Sequence, residues 1–307
     1  MRGARTWMFV PGSDARKLEK AAQSPVDAII YDLEDAVARE EKAMARDLVK
    51  AELQKPSSLD TPARFVRVNA MDTPYCEQDV KACLAPKLHG IVLPKAEETD
   101  AIVRLDEWMS EWETSEAGDG RRGQQRDSLE IVPLIESARG LHHAYEIARS
   151  SKRVQRLMFG SIDFALDISA ELTTDGLELL YARSQLVVVS RAAGIGAPID
   201  AVYPHFRDLE GLIRETQRAK QLGFGGKLLI HPGQIAAVRD GFAPGREELG
   251  EAESIVAAYD AAVASGIGSI QVGGNMVDLP VYERAKRIVD EARKRKLSLH
   301  SNQGEER

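Results

Sequence analysis

Glu136 and Asp163 are the residues of this 307-residue chain whose surroundings point most directly to chemistry. Each closes an apolar run that reads as a buried β-strand, EIVPLIES at 130–137 and RLMFGSIDF at 156–164. Carboxylates are seldom buried, because an ion stripped of water is costly unless a counter-ion or a metal compensates. Oxygen donors of this kind suit a hard divalent cation, Mg²⁺ with Mn²⁺ as its substitute, held by one or two carboxylates together with waters and substrate oxygens. For either residue alone, a helix N-cap or a loop carboxylate at a strand end explains the position equally well; it is the pair that favours metal. Their separation, twenty-seven residues, is about the length of one β-α unit, so adjacent parallel strands would present both at one end of a sheet.

The elements that must position them follow from the hydrophobic pattern. Strand candidates recur at 6–12, 27–34, 64–69, 90–95, 130–137, 156–163, 198–203 and 227–232, most of them continuous apolar runs. Strands buried on both faces read this way, as in a parallel sheet covered by helices. Amphipathic segments such as ARKLEKAAQ, TDAIVRLDEWMSEWE, ARGLHHAYEIARSS and EGLIRETQRAKQLG lie between them. The alternation predicts an α/β fold of the (β/α)8 TIM-barrel class over 1–238, followed by a C-terminal helical extension over 239–307 that serves as a lid or an oligomerisation arm. TSEAGDGRRGQQRDS at 114–128 reads as a mobile loop, and LSLHSNQGEER at the C-terminus as a frayed end.

In such barrels the active site lies at the C-terminal ends of the strands. That rule collects Asp32, Glu34 and Asp35 after the second strand, Arg67 and Asn69 on the third, then Lys95, Glu136, Asp163 and His231. Arg67 lies inside an apolar strand, and its planar fork suits two-point binding of a carboxylate such as that of an α-keto acid. A buried ion pair with Glu34 or Asp35 is the other reading, and both can hold. Lys95 reads as the partner of a neighbouring acid, His231 before Pro232 as structural, and His142 and His143 as packing or solvated residues. GSDAR at 12–16 opens a helix where free N–H groups with Arg16 and Lys17 could hold a phosphate, although Ser13 is also a plausible N-cap. GFGG at 223–226 reads as a helix stop.

A formal charge of −7, with no Lys/Arg-dense stripe, argues against nucleic acid and for a small-molecule partner. Cys76 and Cys83 are too few for a disulfide framework and read as reduced thiols. No run of about 18 apolar residues occurs, and the apolar stretch near the N-terminus is shorter than a signal-peptide core, so the chain reads as soluble, cytoplasmic and without a membrane partner.

RTWMFVPGSDARKLEKA, DAIIYDLEDAV, RFVRVNAMDT, GIVLPKAE, IVPLIESARG, FGSIDFALDI, GFGGKLLIHPGQI and NMVDLPVYERAKRI, taken in order, resemble the HpcH/HpaI aldolase and citrate lyase β-subunit family, in its CitE-like branch. The resemblance implies that Glu136 and Asp163 are Mg²⁺ ligands, that Arg67 holds the keto-acid carboxylate, and that Glu34 and Asp35 shape the water shell and the substrate pocket. It implies that Arg16 lies near a CoA chain. Asp278 reads on its own residues as an N-cap of the last helix; the resemblance implies instead a proton donor on a lid that reaches a neighbouring subunit. Ile162 departs from the Glu or Asn common before the second metal ligand in relatives.

The implied activity is Mg-dependent cleavage of a 3-hydroxyacyl-CoA of the malyl-CoA, β-methylmalyl-CoA or citramalyl-CoA type. The products would be an acyl-CoA and an α-keto acid of the glyoxylate, pyruvate or oxaloacetate type, in a homotrimer or homohexamer. A citrate lyase β subunit acting on an acyl-carrier protein, a plain keto-acid aldolase, and a non-catalytic scaffold are the alternatives.

Overall fold

The computed structural model describes residues 3–56, 61–118 and 129–303. It divides into two compact units, Met1–Phe242 and Ala243–Arg307. The first is a closed parallel barrel in which each strand pairs with the next and β8 returns to β1. Its strands are β1 (Thr6–Pro11), β2 (Ala28–Asp32), β3 (Ala63–Arg67), β4 (Gly90–Leu93), β5 (Glu130–Ile135), β6 (Met158–Phe159), β7 (Ile199–Asp200) and β8 (Gly226–Leu229). Closure is made by Trp7 beside Leu228.

Among the described residues these strands are accompanied by the α-helices α1 (Ala15–Ala22), α2 (Lys42–Gln54), α3 (Cys76–Cys83), α4 (Thr99–Gly118), α5 (Ala138–His142), α6 (Ala144–Arg149), α7 (Ser161–Asp167), α8 (Leu180–Ala193), α9 (Leu209–Leu222) and α10 (Ile235–Phe242). The expected boundary at 238 falls inside α10. Cys76 and Cys83 are buried and unbridged, and burial pushes the Cys76 thiol up to about 12.

Two apolar layers explain why the strands are apolar on both faces. Trp7, Ile30, Phe65, Val92, Val132, Leu134, Met158, Ile199 and Leu228 fill the barrel interior, with the Trp7 and Phe65 rings 4.9 Å apart. The intervening residues Met8, Ile29, Val66, Ile91, Ile131, Phe159 and Leu229 join the helices in a larger outer core. Side chains alternate along a strand, so each strand supplies both layers and loses the alternating pattern of a one-sided sheet.

The structure corrects three local expectations. The sixth strand ends at Phe159, because Gly160 leaves the extended conformation and α7 begins at Ser161, so Asp163 sits in the first turn of a helix. Residues 114–118, expected as loop, complete α4; the rest of that stretch, 119–128, lies outside the described residues. ARGLHHAYEIARSS forms two short helices that break at His143.

The second unit holds α11 (Arg246–Ala264), a hairpin of β9 (Ile270–Val272) and β10 (Asn275–Val277), and α12 (Leu279–Gln303). Gly273 and Gly274 turn the hairpin with φ of 58° and 86°, values that favour glycine at both positions of such a turn. Ala252, Ala285 and Val289 form its small core, and the Tyr259 and Tyr282 rings stack at 4.7 Å. The expected frayed end is helical through Gln303, and 304–307 lie outside the described residues. Among the described residues no helix is long and apolar enough to cross a membrane.

Candidate active site

Side-chain alternation builds the site directly on the inner core. Trp7, Ile30, Phe65, Leu134, Met158 and Leu228 point inward. Two residues further along each strand, at the C-terminal end of the barrel, stand Phe9, Asp32, Arg67, Glu136, Gly160 and Ile230. These six line a cavity of about 450 Å³ together with Asp35, Ile162, Asp163 and Val202. The cavity is therefore the last layer of the barrel interior, where polar groups replace the apolar filling.

Arg67 commits the Nε and Nη2 edge of its fork to a neighbouring strand. Its Nε and Nη2 donate to Asp32 Oδ1 and Oδ2 at 2.7 and 2.6 Å, a two-point pair between neighbouring strands. Nη1 faces the acids expected from the sequence, with Glu34 Oε2 at 3.0 Å and Asp35 Oδ2 at 3.6 Å. The guanidinium also lies over the Phe9 ring, 4.7 Å from its centroid. Asp32 works twice, because its oxygens also accept from the N–H groups of Glu34 and Ala36 and so fold the loop that carries Glu34 and Asp35. It is the functional residue that sequence reasoning left without a role. Its signal was its inward phase, two residues after Ile30.

Glu136 is 4% exposed. Its Oε1 accepts the Lys95 N–H at 2.7 Å, and a Cβ at position 160 would stand 2.6 Å from Oε2, so glycine there keeps the space beside that oxygen open. Burial, then the charges of Glu34 and Asp163, push the Glu136 carboxyl up to about 8 against the pull of the Lys95 N–H and Arg67. Burial likewise raises Glu34, with Arg67 and Lys95 opposing. Ser137 caps α5, and the Ala138 N–H donates to Asp167 on α7, which ties the loop after Glu136 to the helix that carries Asp163.

Five carboxylates, Asp32, Glu34, Asp35, Glu136 and Asp163, thus stand around two cations, Arg67 and Lys95. Such an excess fits a divalent cation; of the four acids that line the cavity, Asp32 and Asp35 face Arg67, which leaves Glu136 and Asp163 as candidate donors. Among the described residues no group of three or more His, Cys, Asp or Glu could hold a metal by itself, so two carboxylates would need water or substrate oxygens to complete the shell.

The remaining expectations divide. Lys95 Nζ pairs with Glu34 Oε1 at 2.9 Å, as its sequence position predicts. His231 caps the turn at 232–234 and stacks on Phe206, while His143 bonds the Glu97 carbonyl; neither histidine lines the cavity. Gly223 ends α9 with φ of 105°. Arg16 is exposed and outside the cavity lining, and Asp14 rather than Ser13 caps α1, so the Arg16 and Lys17 N–H groups that an anion would use already have an acceptor. Asp278 stands at the start of α12, where Oδ1 accepts the Val281 N–H at 3.3 Å, the local cap its residues predict.

This barrel with an acid-rich mouth matches the family model for HpcH/HpaI aldolase/citrate lyase over residues 5–232, and that for C–C bond lyases of the TIM-barrel fold over 183–294. The chain belongs to the HpcH/HpaI aldolase/citrate lyase family, and it is a carbon–carbon lyase. It is 38% identical over 285 residues to citrate lyase subunit beta of Leuconostoc mesenteroides subsp. cremoris, covering 93% of this chain and 92% of that one. It is 33% identical over 295 residues to the mitochondrial citramalyl-CoA lyase of Rattus norvegicus, covering 93% and 85%. The crystal structure of CitE from Mycobacterium tuberculosis in complex with magnesium, acetoacetate and coenzyme A superposes with a TM-score of 0.78 at 29% identity, over 95% of this chain and 99% of that one.

Proposed function

We propose that the enzyme reversibly cleaves a 3-hydroxyacyl-CoA of the malyl-CoA, β-methylmalyl-CoA or citramalyl-CoA type into an acyl-CoA and an α-keto acid. The observation that carries this reading is the imbalance at the barrel mouth. Four carboxylates, Asp32, Asp35, Glu136 and Asp163, line a cavity whose only guanidinium among the described lining residues is Arg67, and Arg67 is already paired with Asp32. Glu136 and Asp163 would hold Mg²⁺, or Mn²⁺ in its place, and the bound ion supplies Lewis acidity and a template for two substrate oxygens.

The chain's own groups do the rest. Arg67, fixed by Asp32, turns its Nη1 edge to the keto-acid carboxylate, while Glu34 and Asp35 set the polar rim beside it. The hydroxyl proton passes to solvent as the new carbonyl forms, and the electrons of the broken C–C bond pass to the thioester fragment as an enolate. Asp278 of a neighbouring subunit gives a proton to the enolate's α-carbon and regains one from solvent. The support for Asp278 is the likeness of NMVDLPVYERAKRI to the family and its place within the matched segment 183–294. Asp278→Ala removes one cap, worth about 1 kcal/mol, and should leave the fold intact while abolishing most turnover. Near-normal turnover would exclude this donor.

We also infer a homotrimer or homohexamer in the cytoplasm. Leu177, Tyr181 and Val188 lie on one face of the α8 region and are 70%, 72% and 62% exposed, an apolar stripe suited to covering by another copy. The identity to citrate lyase β subunits keeps a second reading in view, in which the thioester is carried by an acyl-carrier protein.

Acetyl-CoA or propionyl-CoA with glyoxylate, pyruvate or oxaloacetate, tested with Mg²⁺ and with EDTA, decides between the readings. Condensation of free CoA esters that stops in EDTA supports the proposal. Activity only with a carrier-protein thioester favours the second reading, and activity that persists in EDTA contradicts the metal assignment.

A further inference from the structure

Lys95 holds a left-handed backbone, with φ of 49°, and shares a positive φ only with Ser169 among the described non-glycine residues. It follows Pro94 directly after β4, and it touches two buried carboxylates, one through its backbone and one through its side chain. Its N–H donates to Glu136 Oε1 at 2.7 Å. Its Nζ donates to Glu34 Oε1 at 2.9 Å, and the other oxygen of Glu34 faces Arg67 Nη1 at 3.0 Å.

A residue with a side chain enters the left-handed region at a steric cost, and such conformations persist where surrounding structure fixes them. At this position the conformation aims the N–H at Glu136 while the side chain runs to Glu34. The left-handed conformation is the one in which the N–H and the side chain make both contacts. An ion pair alone accounts for the Nζ contact but leaves the backbone conformation unexplained.

We propose that Lys95 is a positioning residue with two separable actions. Its backbone orients Glu136 Oε1 so that Oε2 meets the cavity, and its ammonium fixes Glu34 against Arg67, which sets the keto-acid side of the site. The inference rests on the reading of Glu136 as a metal ligand, and it extends that reading to a residue outside the cavity lining.

The two actions predict different losses in different variants. Lys95→Val places a β-branched side chain at a positive φ, which such residues strongly disfavour. Lys95→Gly relieves the backbone and removes the ammonium; Lys95→Met removes the ammonium alone; Lys95→Arg retains the charge. Mn²⁺ binding, measured by titration calorimetry or electron paramagnetic resonance without substrate, should weaken about tenfold in Lys95→Val. In Lys95→Gly and Lys95→Arg it should stay within about twofold of the parent. The keto-acid KM should rise about tenfold in Lys95→Met and Lys95→Gly, and return toward the parent in Lys95→Arg.

Thermal melts of all four variants report folding. If the parent binds no Mn²⁺, the ligand reading of Glu136 fails. If the parent binds and Lys95→Val binds equally well, or if metal affinity and KM simply follow melting temperature across the series, the positioning role is overturned.

Discussion

The barrel unit buries two clusters of charge, and they are built in opposite ways. On the helix side of β7 and β8, Arg183 and Lys227 meet Asp200 and Glu215 in a closed ring, with contacts between 2.7 and 3.2 Å. Lys227 and Asp200 are fully buried there, yet each charge has an opposite neighbour, and Lys227 and Arg183 hold the Asp200 carboxyl below its usual range in spite of burial. At the barrel mouth, the five carboxylates around Arg67 and Lys95 have no such balance, and the Glu136 carboxyl rises to about 8. At the lower end of the interior Glu130 pairs with Arg156 at 2.5 Å, although burial still raises its carboxyl against that partner. Balanced buried charge completes a scaffold; unbalanced buried charge in a cavity is what the proposed cation site would call for.

Neutralising one acid in each cluster separates these roles most sharply. Glu136→Gln should reduce kcat/KM about a thousandfold or more, since it removes a ligand from the electrophilic centre. It should also raise the melting temperature of the metal-free protein, because a buried repulsion is relieved. Asp200→Asn should do the reverse, lowering stability by about 3–5 kcal/mol in urea denaturation through two abandoned cations. The folded fraction of that variant should retain kcat/KM within a few-fold. Equal behaviour of the two variants would erase the distinction between the clusters.

A smaller effect sharpens the contrast with pH. Glu136 titrates higher in the folded than in the unfolded chain, so the fold favours its protonated form. The metal-free protein should lose stability as pH rises from about 4.5 toward 8, and stabilisation by Mg²⁺ should grow over the same interval as the carboxylate becomes available. Asp200 has the opposite sign: its stabilisation is complete at neutral pH and fades as acid protonates it below the usual carboxylate range. Melting curves with EDTA and with Mg²⁺ across this range check the first slope, and metal-free melting curves at more acidic pH check the second. A metal-free melting temperature that climbs from pH 5 to pH 8 would contradict the assignment at Glu136.

Much of this arrangement is legible in the sequence. All eight strands appear as apolar runs, because burial on both faces leaves composition as a strong signal. Glu136 was visible as a carboxylate ending such a run. The same continuity hid which strand residues face inward, and so hid Asp32, whose clamp on Arg67 is a contact between strands thirty-five positions apart in the chain. Asp163 was found for a partly mistaken reason, since the last residues assigned to its strand belong to α7. The Lys95 backbone was invisible because lysine gives no local hint of a left-handed conformation; tertiary contacts with Glu136 and Glu34 impose it.

Direct titration of Mn²⁺ into EDTA-stripped protein, with the parent and Glu136→Gln side by side, tests the central claim. One binding event per chain in the parent, lost in Glu136→Gln and accompanied by return of lyase activity only in the parent, is the predicted result. Equal binding by both proteins, or full lyase activity in the stripped parent, would contradict it.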